Sequence, residues 1–251
     1  MIKVLWTGGW DSTFRILELA LTGNACLEIM PFYISGDNRK SETRELEAMN
    51  TLLPLLRQVS NARIADLTVI DKKDIPQNIE ISHAFERMRS IVTIGTQYEW
   101  IARLAVMHPG IEIGIEKPNG EYAGCFTAIE KTGELICGDG TYSVNPHISS
   151  RECCLLFQNI SFPLISRTET DMAAAVREWG HESLMEKIWF CHNPIKGEPC
   201  GYCRPCQQKM ECEMNWLLPI SGQKRYHVYK RTSKLFGTRI GVKLSDILYR
   251  S

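Results

Sequence analysis

Four cysteines constrain this chain more than any other feature. Cys191, Cys200, Cys203 and Cys206 follow the spacing C-x8-C-x2-C-x2-C. Two residues between cysteines form a tight turn that aims both thiolates at one ion. Gly201 stands where such a turn needs positive φ, and Pro199 stiffens the approach to it. Four thiolates satisfy the tetrahedral preference of zinc and leave no position for water, so the pattern predicts a structural Zn²⁺ site. An iron–sulfur cluster also suits four thiolates. The plain alternative is a run of small buried residues that happen to be cysteine. Cys26, Cys125, Cys137, Cys153, Cys154 and Cys212 show no such spacing and read as small hydrophobes. The opening MIKVLWTGGWDST turns to glycines too early for an export signal, so the expectation is a cytoplasmic chain without a disulfide framework.

The N-terminus reads as strand, glycine loop, helix. Ile2 to Trp6 is a short apolar run, and Phe14 to Leu21 has helix-forming composition. Between them lie Thr7, Gly8, Gly9, Trp10, Asp11, Ser12 and Thr13. Glycines at such a junction bring backbone N–H groups close to a ligand, and the helix dipole favours an anion such as phosphate. Ser12 and Thr13 add hydroxyl donors. Asp11 makes sense beside an anion only if a cation such as Mg²⁺ accompanies the phosphates. A plain glycine turn before a helix is the simpler reading. The spacing matches neither G-x4-G-K-[ST] nor G-x-G-x-x-G.

TGGWDST resembles the SGGxDS signature of the PP-loop ATP pyrophosphatases, with Thr7 in place of the first serine. Pro199-Cys200-Gly201-Tyr202-Cys203-Arg204-Pro205-Cys206 is similar to the zinc-binding run of the 7-cyano-7-deazaguanine synthases, the QueC family. Phe162 to Thr168, and Gly36-Asp37-Asn38-Arg39 followed by Glu45 to Ala48, resemble further segments of that family. The likeness spans roughly residues 2 to 210. It implies a parallel α/β sheet of the PP-loop type. ATP with Mg²⁺ would lie on Thr7, Gly8, Gly9, Asp11, Ser12 and Thr13, with Asp11 and Ser12 in the chemistry. Zn²⁺ would sit on Cys191, Cys200, Cys203 and Cys206. The implied activity is that of an ATP-dependent C–N bond-forming synthase in the route to queuosine. A small-molecule carboxylate, by resemblance 7-carboxy-7-deazaguanine, is adenylated with release of pyrophosphate and captured by a nitrogen nucleophile.

The departures cluster where the base would be recognised. The family's Pro-Gly-Arg-Asn segment is at best Ile94-Gly95-Thr96-Gln97 here, its Tyr-Pro-Asp-Cys loop is not visible after Ile115, where Glu116-Lys117-Pro118-Asn119-Gly120-Glu121 stands instead, and a lysine it often carries is Glu169. Three other readings therefore stand beside the first: modification of a different protein or nucleic-acid acceptor, tRNA thiolation using cysteines outside the zinc set, and a nucleotide-binding paralogue without catalysis.

Alternating strands (Leu27 to Ile34, Ala62 to Ile70, Ile111 to Ile115) and helices (Ser41 to Leu56, Tyr98 to Met107, Thr170 to Trp179) predict a parallel sheet with helices on both faces. The expected domains are an ATP-binding α/β unit over 1–180, a zinc region over 181–212 and a basic extension over 213–251. Glu121 to Cys137, turning at Lys131-Thr132-Gly133, reads as a β-hairpin, and Gly138-Asp139-Gly140 reads as another turn. This insertion near 121–142 would shape the substrate pocket, contact a second copy in a homodimer, or fill a sheet edge. No apolar run reaches the ~20 residues of a membrane helix. Lys plus Arg and Asp plus Glu both number 29 in the 251 residues, which excludes a uniformly basic nucleic-acid binder. The neutrality is uneven: residues 223–251 carry eight basic residues against Asp246 alone. With Tyr226, Tyr229, Phe236 and Tyr249 interleaved, that segment suits nucleic acid, an acidic protein, or packing on the acidic body.

Overall fold

The computed structural model describes residues 1–37, 39–118, 124–236, 238 and 242. In chain order the elements are β1 (Ile2–Leu5), α1 (Trp10–Thr22), β2 (Glu28–Ser35), α2 (Glu42–Val59), β3 (Arg63–Ile64), β4 (Thr68–Asp71), α3 (Ile79–Ile91) and α4 (Gln97–Met107). There follow β5 (Ile111–Glu112), α5 (Cys125–Thr132), β6 (Leu135–Gly138), β7 (Thr141–Val144), α6 (Arg151–Phe157) and β8 (Ile160–Ser161). The chain continues through α7 (Glu169–Glu178), α8 (Glu182–Met185), α9 (Arg204–Glu211) and α10 (Ile220–Phe236).

The main sheet runs β3-β2-β1-β5-β8, with β4 also on the outer edge of β2, and every pairing in it is parallel. Alternate strand residues face opposite ways, as the pleat requires. Leu5, Phe32, Ile34, Ile111 and Ile160 pack against α3, α4 and α6 on one face. Val4, Trp6, Ile29 and Tyr33 pack against α1, α2 and α7 on the other. This is the α/β architecture that the sequence pattern predicts. Strand order reverses between β1 and β5, and such a reversal opens a crevice at the strands' carboxyl ends. Glu112 of β5 is 4% exposed and takes a two-point ion pair from Arg15 of α1, at 2.7 and 2.9 Å. Arg15 thereby fastens together the two elements whose ends flank the crevice.

Two expectations need correction. The expected single strand over Ala62 to Ile70 is two short strands. Asp66 lies between them, exposed, with its carboxylate paired to Arg57 at 2.7 Å, so this stretch leaves the sheet to meet solvent. The hairpin is also displaced. Cys125–Thr132 is helix α5, closed by Gly133, and Lys131-Thr132-Gly133 is its end rather than a hairpin turn. The hairpin is β6–β7, joined by Asp139 and Gly140 at φ +50° and +77°. Two positive φ values in a two-residue Asp-Gly loop match the twist of paired strands, and that local chemistry decides the register. Residues 121–123 of the expected hairpin lie outside the described residues.

Beyond α7 the chain returns to the same core. Leu184, Met185, Ile188, Cys212 and Met214 belong to the apolar cluster of the α1 face. The cysteine segment is thus packed onto the sheet unit through shared side chains.

Candidate functional site

The glycine loop leaves β1 at the strand-order reversal. Gly8 holds φ +67° beneath α2, where an added Cβ would stand 3.0 Å from the Glu45 carbonyl, and its own carbonyl accepts from Trp189 N–H at 2.8 Å. Gly9 caps α1 without a side chain. The N–H groups of the first turn therefore have no side-chain cap, which is the condition for anion binding. Thr7 N–H donates to Ser12 Oγ at 3.3 Å, holding both hydroxyls at the loop. Thr7, Gly9, Asp11 and Ser12 line a cavity of about 650 Å³ together with Arg39, Lys40, Ser41, His192 and Asn193. Arg39 is anchored by Tyr33 and Glu45 at 3.0 and 2.9 Å, while its buried Nε has no partner among the described residues.

Thr13 is placed elsewhere. It is fully buried, and its hydroxyl accepts the indole N–H of Trp6 at 2.9 Å, so it braces β1 against α1. The sequence places all seven loop residues in one motif; the helix turn sends Thr13 to the opposite side.

A second cavity, of about 430 Å³, lies on the other side of Asp11. Both cavities share Asp11, Gln97, Tyr98, Gly114 and Ile115. The second adds Glu116, Phe126, Arg204, Gln208 and Cys212. These volumes fall in the range of small-molecule sites. Around Asp11, which both cavities share, carboxylate oxygens of Asp11, Glu116 and the buried Glu169 lie within 4.8 Å of one another. Lys209 of α9 enters from below, pairs with Glu169 and sits 5.0 Å from the Trp10 ring centroid. Gln208 donates to Glu116. Burial holds the Asp11 carboxyl above its usual range, against the pull of Lys209. Burial, then the neighbouring Asp11, pushes Glu116 up to about 8. Burial also lowers Lys209 to about 8, outweighing the attraction of Asp11 and Glu116.

Glu116 and Glu169 stand out in the sequence only as departures from the QueC pattern, and Lys209 carries no signal at all. Its position is legible only once α9 is known to begin at the zinc-type motif. Lys209 lies three residues, one helical turn, beyond Cys206.

The four motif cysteines form a separate centre. Their sulfurs lie within 4.8 Å of one another, and two pairs, Cys203–Cys191 and Cys200–Cys206, stand at 3.9 Å. Zinc–sulfur bonds of about 2.3 Å in a tetrahedron place sulfurs about 3.8 Å apart. The cluster therefore fits a single metal ion such as zinc. Cys200 N–H donates to Cys191 Sγ and Cys203 N–H to Cys200 Sγ, both at 3.2 Å, which favours thiolates. Gly201 adopts φ +87°, as its place in the turn predicts, and a Cβ there would collide with the Gly222 carbonyl. Arg225 of α10 closes the site by donating to the Cys200 and Pro199 carbonyls, each at 2.8 Å.

Helix α10 accounts for the described part of the basic segment. Lys230 pairs with Glu211, and Tyr226 and Tyr229 are buried at 8% and 9% exposure. Those two rings are packing groups rather than stacking platforms. Lys224, His227, Arg231 and Lys234 remain exposed. Tyr249 and most of 237–251 lie outside the described residues. Among the described residues no helix is long and apolar enough to cross a membrane.

No family model matches the chain, and a search of curated proteins finds no match either.

Proposed function

We propose that the chain is an ATP-dependent, QueC-like enzyme that adenylates a carboxylate and passes the acyl group to a nitrogen nucleophile. The observation that carries this reading is the uncapped first turn of α1, after TGGWDS, at the reversal point of a parallel sheet. The hydroxyls of Thr7 and Ser12 and the cations of Arg39 and Lys40 face the same cavity. That set suits polyphosphate, and Asp11 is placed to hold the Mg²⁺ that would escort it.

The smaller cavity beyond Asp11 would take the acceptor. A carboxylate oxygen arriving there attacks the α-phosphorus while pyrophosphate leaves on the loop side. The protein's part in such a step is positioning and charge stabilisation. Tyr98 and Phe126 offer flat apolar walls for a ring system, and Gln208 and Gln97 offer amides for its polar edge. Zn²⁺ in the four-cysteine centre would hold α9, and with it Gln208 and Lys209, in place.

ATP–pyrophosphate exchange, run with a panel of carboxylates, tests the reading. Exchange should depend on one acceptor and vanish in Asp11→Ala; unchanged exchange in that variant would sink the assignment of the loop.

One observation favours the thiolation alternative: Cys125 lines the acceptor cavity. Against it, burial pushes the Cys125 thiol far up and raises Cys153 to about 11, which disfavours the thiolates that such chemistry needs. Exchange that survives Cys125→Ala with amide or nitrile product formed would decide for C–N chemistry.

A further inference from the structure

We propose that the outward face of α10 is a docking surface for the sugar-phosphate backbone of nucleic acid. Lys224, His227, Arg231 and Lys234 are all exposed and recur at i, i+3, i+7 and i+10. Residues three and four apart are neighbours on a helix surface, so the four form one stripe. At 1.5 Å of rise per residue the stripe is about 15 Å long. The other side of the helix is buried, through Arg225, Tyr226 and Tyr229. The remaining cations of α10 are already engaged: Arg225 donates to the Cys200 and Pro199 carbonyls, and Lys230 pairs with Glu211. Among the described residues Lys224, Arg231 and Lys234 enter no ion pair, and α10 has no acidic side chain to offer them. An ordinary solvated face intersperses the two signs. Here Arg231 and Lys234 stand one turn apart with like charge, which is mildly destabilising unless an anion lies between them.

Charge complementarity names the occupant. Eight of the 29 basic residues and one of the 29 acidic ones lie in 223–251, which leaves 21 against 28 in residues 1–222. A polyanion is therefore repelled by the acidic body and drawn to this face. A nucleic-acid duplex carries one phosphate per ~3.4 Å of each strand, so a stripe of about 15 Å runs beside roughly four phosphates, enough for each free cation to meet one. Lys and Arg pair with phosphates without reading base sequence, so the surface binds backbone rather than a particular site. A lipid surface fits less well, because a helix lying on a membrane buries an apolar face in it. The apolar side of α10 is spent on the cysteine unit, and its exposed large apolar side chains among the described residues, Ile220 and Leu235, stand at opposite ends of the helix. The surface owes nothing to the nucleotide loop: a chain with no affinity for ATP would keep it.

The test uses the full zinc-loaded chain without ATP, and fluorescence anisotropy with mixed-sequence RNA and DNA oligonucleotides of about 20 nucleotides, single-stranded and duplex, across about 50 to 200 mM salt. The wild type should bind, with little dependence on base sequence, and the RNA and DNA arms identify which backbone it prefers. The combined variant Lys224→Gln, Arg231→Gln, Lys234→Gln should weaken binding at least about tenfold at the lowest salt. It should also reduce the slope of log affinity against log salt by about 2 to 3, the release expected for three phosphate contacts. A control that removes three exposed cations elsewhere, Arg63→Gln, Lys131→Gln, Arg177→Gln, should change binding less than about threefold. Should the α10 variant fold poorly, acetylation of the wild type reports on the same surface, since bound oligonucleotide should protect Lys224 and Lys234 and leave Lys131 reactive. No binding by the wild type, equal weakening in the control, or unprotected Lys224 and Lys234 would overturn the proposal. So would polyglutamate of matching charge binding as tightly as the oligonucleotides, which would make an acidic protein the partner.

Discussion

The two polar centres of this molecule lie a helical turn apart along α9, and they are built on opposite principles. The four-cysteine centre is closed. Its ligands come from one stretch of chain, three of them are completely buried, and N–H donors meet two of its sulfurs. The carboxylate centre is open. Its members come from distant parts of the sequence, it borders two cavities, and three of its oxygens have no partner among the described residues. A closed centre serves to fix the chain, whereas an open one keeps unmet bonding capacity that a ligand can use. The contrast makes the first the candidate structural centre and the second the candidate ligand site.

The largest effect should separate them at once. Removing the metal, or making Cys203→Ser, should cost several kcal/mol of local order, since structural zinc contributes ~10 kcal/mol or more to folding in small sites. Thermal melts and metal analysis would show it as loss of α9 and α10 helicity. By contrast, Asp11→Ala should leave zinc content and melting temperature near wild type while removing ATP–pyrophosphate exchange by ~100-fold or more, the scale of losing a charge-positioning group. A variant that lost both together would erase the distinction.

The pH dependence sharpens the comparison further. Glu116 has a folded value near 8, above the ordinary 4.5, so the folded protein holds a proton there that the unfolded chain has released. The stability associated with it is fully present below about pH 4.5 and is lost as pH rises through 8. Lys209 has the opposite sense: lowered from 10.5 to about 8, it makes the fold gain stability again as pH rises from 8 to 10.5. In cation-free buffer the carboxylate centre should therefore produce a stability minimum near pH 8, with slopes of at most about 1.4 kcal/mol per pH unit. Glu116→Gln should flatten the acid-side limb. A curve unchanged by that substitution would remove the electrostatic account of the centre. The smallest effect lies away from both centres: Thr13→Val leaves the Trp6 indole N–H unpaired and should cost about 1–3 kcal/mol without touching exchange.

How much of this was legible in the sequence follows the same division. The four-cysteine centre was, because its ligands are neighbours in the chain and their spacing is itself the geometry. The glycine loop and the parallel sheet were too, through local turn chemistry and the alternation of strands with helices. The partners of Asp11 were not identifiable as such, since Glu116, Glu169 and Lys209 meet only through tertiary folding. Glu116 and Glu169 were visible merely as departures from a pattern. The displaced hairpin teaches a related lesson: Lys131-Thr132-Gly133 and Gly138-Asp139-Gly140 both look like turns, and only the backbone decides which ends a helix. For Tyr226 and Tyr229 the sequence left nucleic-acid stacking, an acidic partner and packing on the body side by side, because composition carries no facing; α10 turns both rings inward.

The claim on which the rest depends is that the loop after β1 holds the phosphates of ATP. Amide hydrogen exchange with and without Mg-ATP addresses it most directly. The account predicts new protection in peptides covering Gly8 to Ser12 and Gly114 to Glu116, with α10 unchanged. Protection absent from the loop, or confined to α10, would contradict it.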